Sequence, residues 1–408
     1  MKLSLPNGDS ITPARVFLKK GRDGPVRGGN PWVFSQAIDR VEPAATEPGA
    51  RVWVLDAAGA TLGHGYYNSA TTIAVRMLAL DGEPGPAEIV GWRIERALNL
   101  RERVVDADTD CYRLLNGDGD GLSGVVVDRY GEAAVMQLLT AGAERMRDEI
   151  VGHLQAATSA RMIFERSQGA VRRQEGLEDR VGAIVGAPAG ESVVRENGIR
   201  MTVDLERGQK TGAFLDQREN RARFGALAAG ARVLDLCCHT GGFALNAIKG
   251  GAREVVAIDT SAHALDYARR NLELNGYPVN SIRFVHAEAG DFLSAGGGER
   301  FDPFDLIVLD PSPFARSRAD ARRAEHLYVE LNALALGALA LGGFLMTFSC
   351  SSHFCGEDFV RAVRIAEGRS RRRRMRLLAR LGPGPDHPVL LGHPEGEYLT
   401  GVLLRDLG

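Results

Sequence analysis

The sequence has no hydrophobic run long enough to cross a membrane. Within its 408 residues, no apolar stretch reaches the ~18 residues that a membrane-spanning helix needs. Lys2, Pro6 and Asp9 interrupt the first residues, so the apolar centre of a secretory signal sequence is also missing. These absences predict a cytoplasmic protein that has no membrane partner.

Cysteine is scarce and follows no metal-binding pattern. The five cysteines form an odd set without a C-x-x-C pair, which argues against both a disulfide framework and a zinc site. The acidic turn at 117–121 lacks the further ligand spacing and the closing glutamate of a calcium loop. The sequence therefore predicts no bound metal.

A strong charge of one sign is missing as well. A net charge of −2 excludes a globally basic nucleic-acid coat, although local clusters can still bind phosphate. One cluster, at 19–27 with Trp32 nearby, fits either an RNA contact or a solvated loop beside a core tryptophan. The other, at 369–376, fits either a solvated edge or an RNA contact.

The sequence contains three successive patterns, and its length suggests two or three domains. Residues 1–80 hold short strands separated by Gly- and Pro-rich breaks, which predicts a small β-barrel. Residues 88–197 mix a long helix with strands and predict a small α+β middle domain. From 198 to 408 strands and helices alternate, which predicts an α/β, Rossmann-like domain with a mostly parallel sheet. Its last Ala/Leu-rich helix is expected to end at 342–343.

A βαβ unit lies at the centre of this last domain. A buried strand ends at Asp235 and leads into a turn with Gly241 and Gly242, a helix, and a second strand that closes on Asp259. The ligand of such a unit binds at the carboxyl ends of the strands. Glycines let the backbone approach a ligand closely, and an acid after the second strand suits ribose hydroxyls. We therefore expect a cofactor that contains a nucleoside.

The turn after Asp235 indicates which cofactor this is. It lacks the three glycines of G-x-G-x-x-G, which bind a pyrophosphate, and it carries an acid that would repel phosphate. The α-ammonium and the sulfonium of S-adenosylmethionine suit an acid at each strand end, as Asp235 and Asp259 provide. The alternative is an ordinary Rossmann-like unit in which the acid is incidental.

Two later strand ends are left for the substrate, because the cofactor covers the first two. Asp310 follows one of these strands and Cys350 follows the other. A thiolate that adds to carbon 6 of a pyrimidine makes carbon 5 nucleophilic enough to accept a methyl group. Asp310 would hydrogen-bond the polar edge of the base. Cys350 is thus a candidate nucleophile, although a free cysteine is usually a buried core thiol.

Short motifs follow one another in a fixed order along nearly the whole chain. They lie at 30–35, 112–117, 120–122, 208–218, 239–243, 310–311, 349–351, 386–388 and 394–399. With these motifs the sequence resembles the RlmI-type 23S ribosomal RNA cytosine-5 methyltransferases. Members of that family join an N-terminal PUA domain, a small middle domain and a class I methyltransferase domain.

The resemblance implies an S-adenosyl-L-methionine-dependent enzyme that methylates large-subunit ribosomal RNA, with Cys350 as nucleophile and Asp310 in the catalytic site. A homodimer is compatible with it. It also implies a set of cofactor-binding residues: Lys210, Thr211, Phe214, Asp216, Arg218, Asp235, His239, Thr240, Gly241, Gly242, Phe243, Asp259, Thr260, Glu288 and Asp310.

The sequence departs from the family pattern at two points. Ser312 stands where the Asp-Pro-Pro-x-Phe loop of the family has its second proline, so this loop is less rigid. Ala287 precedes Glu288 where an acidic pair is expected, so adenine recognition rests on Glu288 alone. Both departures concern the choice of base more than the class of reaction.

Two alternatives to cytosine-5 methylation stay open. Residues 310–314 also resemble the loop of enzymes that methylate a base nitrogen, a reaction that needs no thiol. The Ser349-Cys350-Ser351 motif argues against that alternative. The second alternative is an RNA-binding or assembly protein that retains the cofactor fold without turnover.

Overall fold

The chain folds into two compact units. The computed structural model describes residues 3–4, 10–11, 14–187, 190–295, 302–315, 317–351, 353–370 and 373–408. The first unit comprises Met1–Val194, Val203–Leu215 and Pro385–Gly396, and the second comprises Arg195–Thr202, Asp216–Gly384 and Glu397–Gly408. Each unit is therefore built from segments that lie far apart in the sequence.

The N-terminal part of the first unit is a β-sheet. Its elements are β1 (Leu3–Ser4), β2 (Ser10–Ile11), β3 (Ala14–Leu18), α1 (Gly24–Arg27), β4 (Trp32–Phe34), β5 (Ile38–Glu42), β6 (Ala50–Leu55), β7 (Thr61–Tyr67) and β8 (Ile73–Leu80). Among the described residues, six strands pair in the order β4-β8-β7-β6-β3-β5, with β3 and β6 parallel. Val52 and Val54 are buried and alternate with half-buried Arg51 and Trp53, as expected for a strand with one face on a core.

The rest of the first unit is a second sheet packed against helices. Its elements are α2 (Ile89–Val104), β9 (Cys111–Asn116), β10 (Val125–Tyr130), β11 (Ala133–Leu138), α3 (Ala141–Arg145), α4 (Arg147–Ala157), β12 (Met162–Ser167), α5 (Ala170–Gln174) and β13 (Arg180–Val185). The strand order is β13-β12-β11-β10-β9, and β11 and β12 run parallel. Ile94 of α2 and Ile150 of α4 share one apolar core with Leu115 and Val127, so these two helices cover one face of the sheet.

The second unit contains the predicted α/β domain. β14 (Glu191–Glu196) and β15 (Ile199–Asp204) form a two-stranded sheet. The elements that follow are α6 (Arg218–Ala226), β16 (Arg232–Leu236), α7 (Gly242–Lys249), β17 (Glu254–Asp259), α8 (Ala262–Leu274), β18 (Ile282–His286), α9 (Ala289–Ala295), β19 (Phe304–Leu309), α10 (Ala321–Ala338), β20 (Leu339–Ser349), α11 (Gly356–Arg369), β21 (Met375–Leu381) and β22 (Thr400–Asp406).

The large sheet of the second unit is mostly parallel, as predicted. Within the described part of the chain it has seven strands in the order β18-β17-β16-β19-β20-β22-β21. β22 runs antiparallel to the other six strands of this sheet, which are parallel to one another. Leu234 and Ile307 pack in a core with helices α10 and α11, and their sequence neighbours Val233 and Val308 are equally buried. Both faces of the sheet are thus covered, which is the doubly wound arrangement.

One boundary differs from the sequence-based expectation. Helix α10 ends at Ala338, and β20 begins at Leu339 and runs through Gly342 and Gly343. Leu339 is fully buried and pairs with Phe304 of β19, so strand pairing begins three residues before Gly342. Long-range sheet pairing has overridden the helix propensity of the Ala/Leu-rich segment.

Candidate active site

A buried acid lies at the carboxyl end of β16. The Asp235 carboxylate is fully buried, and its Oδ2 accepts a hydrogen bond from the Ala244 N–H at 2.9 Å, near the N-terminus of α7. Its Oδ1 is buried without a hydrogen-bond partner among the described residues. Burial, followed by the charges of Asp310 and Asp259, raises the pKa of Asp235 to about 8. An oxygen left in this state would accept a hydrogen bond from a cation.

The turn after β16 has an unusual backbone. Cys237 and His239 have φ values of 66° and 49°, a region that residues with side chains seldom adopt, and Gly241 follows with φ 85°. The surroundings hold this shape, because the Cys238 N–H donates to the Ile258 carbonyl and the Gly241 N–H donates to the Cys238 carbonyl, both at 2.9 Å. Strained loops that the fold stabilises in this way cluster at ligand sites.

Asp259 connects the turn to the start of the next helix. Its Oδ2 accepts the N–H of His239 and its Oδ1 accepts the N–H of Ser261, each at 2.8 Å. Each carboxylate oxygen can accept a second hydrogen bond, so the side chain retains capacity for ribose hydroxyls. Thr260 and Glu288, which follow the ends of β17 and β18, are exposed at the same edge of the sheet.

Asp310 and Cys350 come together at the ends of β19 and β20, as the sequence predicts. The Asp310 N–H donates to the Leu236 carbonyl at 3.3 Å, which ties the end of β19 to that of β16. The half-buried Cys350 thiol donates to the carbonyl of Pro311, with 3.4 Å between Sγ and O. Burial raises the pKa of the Cys237 and Cys238 thiols, so their thiolates are disfavoured.

Gln217 is a site residue that the sequence analysis missed. Its Nε2 donates to Asp310 Oδ2 at 3.0 Å, and its Oε1 accepts from Asn220 Nδ2 at 2.6 Å. Asn220 Nδ2 also donates to the Gly382 carbonyl at 2.9 Å. With the Oε1 side occupied by Asn220, the Gln217 amide must present its N–H₂ group to Asp310. The only sequence signal was its position beside Asp216 and Arg218.

Tyr328 of α10 is a second residue that the sequence did not reveal. Its hydroxyl lies 2.9 Å from Ser349 Oγ and 3.3 Å from Ser351 Oγ, the two serines that flank Cys350. Its ring stacks on Phe354 with 5.3 Å between centroids. Burial raises the pKa of Tyr328 to about 12, so the phenol stays neutral and can donate. This network fixes the segment that carries the thiol.

Several predicted cofactor residues of the second unit serve packing or internal hydrogen bonds. Phe243 is buried, with its ring centroid 5.5 Å from that of Phe224 and 6.0 Å from that of Phe348. A Cβ at Gly242 would lie 2.7 Å from the Arg221 Cδ, so this glycine permits close packing. The carbonyl of Thr240 accepts from Asn271 Nδ2 at 3.1 Å.

Asp216 and Arg218 are both buried. Asp216 Oδ2 accepts from the Tyr398 hydroxyl at 2.7 Å, and its carbonyl accepts the N–H of Gly384 at 3.0 Å. Arg218 Nε donates to Glu219 Oε1 at 3.1 Å. These contacts connect the segment before α6 with residues near both ends of the gap between β21 and β22.

Lys210, Thr211 and Phe214 belong to the first unit. Thr211 is buried, donates to the Asp128 carboxylate and lies 3.0 Å from the Tyr130 hydroxyl. Lys210 has φ 52°, and its Nζ lies 4.7 Å from the centroid of the Phe214 ring. Their assignment to the cofactor stays a prediction.

The N-terminal cations and tryptophan are also in the first unit. Trp32 packs against His393 with 4.3 Å between ring centroids, so it is at least partly a core residue. Lys19 and Arg27 have hydrogen-bond partners in loops of the same sheet. In the second basic cluster, Arg371 and Arg372 lie outside the described residues, and Arg373 pairs with Asp406 at 2.9 Å.

No described helix is long and apolar enough to cross a membrane. In the described ranges, no group of three or more His, Cys, Asp or Glu side chains is arranged to hold a metal ion.

Comparisons with known proteins identify the family. A family model described as S-adenosylmethionine-dependent methyltransferase matches residues 158–378, and a PUA-like domain model matches residues 16–80. A protein of Photobacterium profundum named ribosomal RNA large subunit methyltransferase I is 39% identical over 95% of this chain and 98% of its own length. One of the same name from Aeromonas hydrophila is 38% identical over 96% and 99%.

Solved structures agree with this fold. A candidate SAM-dependent methyltransferase from Streptococcus mutans superposes with a TM-score of 0.80, covering 96% of this chain and 99% of its own, at 21% identity. This likeness agrees with the predicted fold class, and the family models and the relatives confirm the family resemblance. Asp235 Oδ1 at the end of β16, which has no hydrogen-bond partner among the described residues, fits the cationic cofactor of this family. The chain belongs to the S-adenosylmethionine-dependent methyltransferases and uses S-adenosyl-L-methionine as its cofactor.

Proposed function

We propose that the protein forms 5-methylcytidine in large-subunit ribosomal RNA, with Cys350 as the nucleophile. The observation that carries this proposal is the position of the Cys350 thiol, 3.4 Å from the Pro311 carbonyl and next to Asp310 at the strand ends. The relatives from Photobacterium profundum and Aeromonas hydrophila are named for large-subunit ribosomal RNA, which supports the choice of substrate.

The chemistry assigns a distinct task to each group. The Cys350 thiolate adds to carbon 6 of the cytosine, and the electron pair of the 5,6 double bond moves to carbon 5. Bound S-adenosyl-L-methionine supplies an electrophilic methyl group, which carbon 5 accepts. The other product would be S-adenosylhomocysteine. Water or a carboxylate then takes the carbon-5 proton, the 5,6 double bond re-forms and the thiolate leaves. Asp310, held by Gln217, hydrogen-bonds the polar edge of the ring and keeps carbon 6 near Sγ.

We assign the cofactor to the strand ends of β16 and β17. Asp235 Oδ1 would pair with the α-ammonium, because it is buried and lacks a partner among the described residues. Asp259 would accept from the ribose hydroxyls, and Glu288 would lie beside the adenosine. The rest of the residue set implied by the resemblance stays a prediction.

The domain ranges 1–80, 88–197 and 198–408 also stay predictions. We propose a cytoplasmic location, because ribosomal RNA would be reached there. A homodimer stays a prediction that sedimentation measurements would test.

Methyl transfer from labelled cofactor to bulk ribosomal RNA tests the proposal. Wild-type protein should label the RNA, and nuclease digestion with mass spectrometry should find 5-methylcytidine. Cys350→Ala should transfer no detectable label and should bind the cofactor as wild type does, because the thiol acts on the base and not on the methyl donor. RNA that contains 5-fluorocytidine should form a stable covalent complex with Cys350, because fluorine at carbon 5 leaves no proton that a base can remove.

Cys355→Ala is the matched control. This second half-buried thiol follows the same strand, and its Sγ lies 3.9 Å from the Glu397 carbonyl. Burial raises its pKa, so it should not react as a thiolate, and the variant should keep wild-type activity. Near-wild-type turnover by Cys350→Ala would instead favour methylation of a base nitrogen or a role for Cys355. Complete absence of transfer by the wild type would favour the non-catalytic RNA-binding alternative.

A further inference from the structure

The buried arginines of the first unit are not all paired. Arg101 makes a two-pronged ion pair with Asp120 at 2.6 and 2.7 Å, and Arg172 pairs with Glu144 at 2.9 Å. Arg166 is only 5% exposed, yet its Nε and Nη1 are buried without a hydrogen-bond partner among the residues that the structure describes. An unpaired buried guanidinium is costly for a fold, and buried charges are normally paired.

The sheet geometry shows which way this side chain points. Its neighbour Glu165 accepts a hydrogen bond from Arg147 of α4 at 2.8 Å, on the face of the sheet that α2 and α4 cover. Successive side chains of a strand point to opposite faces, so Arg166 lies on the other face. Strand pairing aligns Phe164, two residues before Arg166, with Val135, and aligns Val135 with Asp128.

The other polar groups of this face satisfy one another. Arg113 binds both oxygens of Asp128, and Asp128 also accepts from Thr211. The Tyr130 hydroxyl contacts Thr211 at 3.0 Å and accepts the N–H of Ala213 at 3.1 Å. Arg166 is the member of this face whose charge is not matched by a hydrogen-bonded carboxylate within the described part of the chain.

Nearby charges compensate Arg166 only in part. Burial lowers its pKa, while Tyr130 and Asp204 act in the opposite direction. Asp204 Oδ1 already accepts the N–H groups of Glu206 and Arg207, at 3.0 and 2.8 Å. A guanidinium stays protonated in proteins. The first unit therefore contains a fixed positive charge whose Nε and Nη1 donors are unused among the described residues.

We propose that Arg166 binds a phosphate of the RNA substrate, an inference that rests on the proposed function. The planar guanidinium matches two phosphate oxygens at once, which a lysine cannot do. Such a contact orients RNA on the protein and carries no base specificity. The sheet of β9 to β13 would then contact the RNA, in addition to the N-terminal PUA-like domain.

The experiment measures how tightly the full-length protein binds deproteinised large-subunit ribosomal RNA at several salt concentrations. Arg166→Met removes the charge and keeps much of the volume. It should weaken RNA binding about ten- to a hundred-fold, the range expected for one charge-assisted hydrogen-bonded contact. The slope of log affinity against log salt should fall by about 0.7 to 0.9, which corresponds to one phosphate. Affinity for the cofactor should not change.

Thermal melting separates this role from a structural one. Because Arg166 Nε and Nη1 have no hydrogen-bond partner among the described residues, Arg166→Met should melt at or above the wild-type temperature. Arg101→Met is the matched stability control, and it should melt lower, because it leaves Asp120 buried without its partner. Arg161→Met removes an exposed charge one residue before β12 and should leave the RNA affinity and the salt slope nearly unchanged.

Four results would overturn the inference. They are unchanged RNA affinity and salt slope in Arg166→Met, a loss of cofactor affinity in place of RNA affinity, a large drop in melting temperature, and failure of the variant to fold. Arg166→Lys should keep the salt slope while binding RNA more weakly than wild type. Inorganic phosphate at constant ionic strength should not stabilise wild type more than Arg166→Met at sub-millimolar concentrations; if it does, the site holds free phosphate.

The binding measurement does not depend on turnover. If the wild type bound ribosomal RNA but transferred no methyl group, the proposed function would fail. The RNA affinities of wild type and Arg166→Met would still test the Arg166 inference. If the wild type methylated RNA and Arg166→Met bound it normally, only the Arg166 inference would fail.

Discussion

Each unit contains a buried ionisable side chain with polar atoms that lack hydrogen-bond partners among the described residues, and these two side chains have opposite charges when ionised. In the second unit it is the carboxylate of Asp235, and in the first it is the guanidinium of Arg166. Both units also contain buried ion pairs that are complete, such as Arg101 with Asp120 and Arg221 with Glu196. The complete pairs connect segments of the fold. Asp235 and Arg166 match in charge the two ligands proposed above, a cationic cofactor and an anionic RNA.

Among the changes in the second unit, substitution of Asp235 should have the largest effect on cofactor affinity. Asp235→Asn keeps an oxygen for the Ala244 N–H and removes the negative charge. If Asp235 pairs with the cofactor ammonium, affinity should fall on the order of 10²–10³-fold, as for a buried ion pair that loses one partner. Calorimetric titration with cofactor measures this. An affinity within threefold of wild type would show that the buried acid does not contact the cofactor.

The same residue should couple binding to pH. The pKa of Asp235 is about 8 without cofactor, and a bound ammonium would lower it, so binding near pH 7 should release a proton and affinity should rise up to pH 8. Titrations in two buffers of different ionisation enthalpy would detect the release. For folding the sign is opposite. The folded state retains the proton that the unfolded chain loses near pH 4, so wild-type stability should decrease from about pH 4 to pH 8, and Asp235→Asn should lack this decrease.

Asp259 should have a smaller effect, because it has two internal partners already. Asp259→Ala should weaken cofactor binding about ten- to a hundred-fold through loss of a charged hydrogen bond. Since the carboxylate also accepts from His239 and Ser261, the melting temperature should fall as well. Asp259→Asn, which retains one acceptor oxygen, should fall between wild type and alanine in both measurements. Unchanged affinity in Asp259→Ala would remove this residue from the ribose site.

Gln217 should give the smallest effect and should act on turnover alone. Gln217→Leu removes the donor to Asp310 Oδ2, and kcat for methyl transfer should fall about tenfold, the value of one hydrogen bond, with cofactor affinity unchanged. Gln217→Glu places an acid beside Asp310, which raises the Asp310 pKa and should move the acid limb of the pH–rate profile upward. A profile that stays in place would mean that Gln217 does not orient Asp310.

Much of the second-unit site was predictable because it follows from local sequence. Apolar strands that each end in an acid or a cysteine predict a parallel sheet with Asp235, Asp259, Asp310 and Cys350 along one edge, and the structure places them at the ends of β16, β17, β19 and β20. Phe243 illustrates that a motif does not give the direction of a side chain, and its assignment to the cofactor stays a prediction. It lies in the matched turn motif, yet its ring packs between Phe224 and Phe348, because the motif does not say which way the side chain points.

The residues that sequence reasoning missed depend on contacts between distant segments. Gln217 is 93 residues from Asp310, and Tyr328 is 21 residues from Ser349. Gln217 lies in the motif at 208–218, which assigned it no role, and Tyr328 lies in none of the motifs. The segment 385–396 follows the α/β pattern in the sequence but belongs to the first unit. There Arg101 donates to the Asp386 carbonyl at 2.6 Å.

The sequence by itself determined the order of strands and helices, the acids and the cysteine at the strand ends, and through them the family and the cofactor. These features depend on backbone periodicity and burial, which act over a few residues. Only the tertiary structure decided which buried charges are matched. The partner of a buried charge comes from a distant segment, so the local sequence around Arg101 and Arg166 does not show that the first is paired with Asp120 and the second is not paired among the described residues.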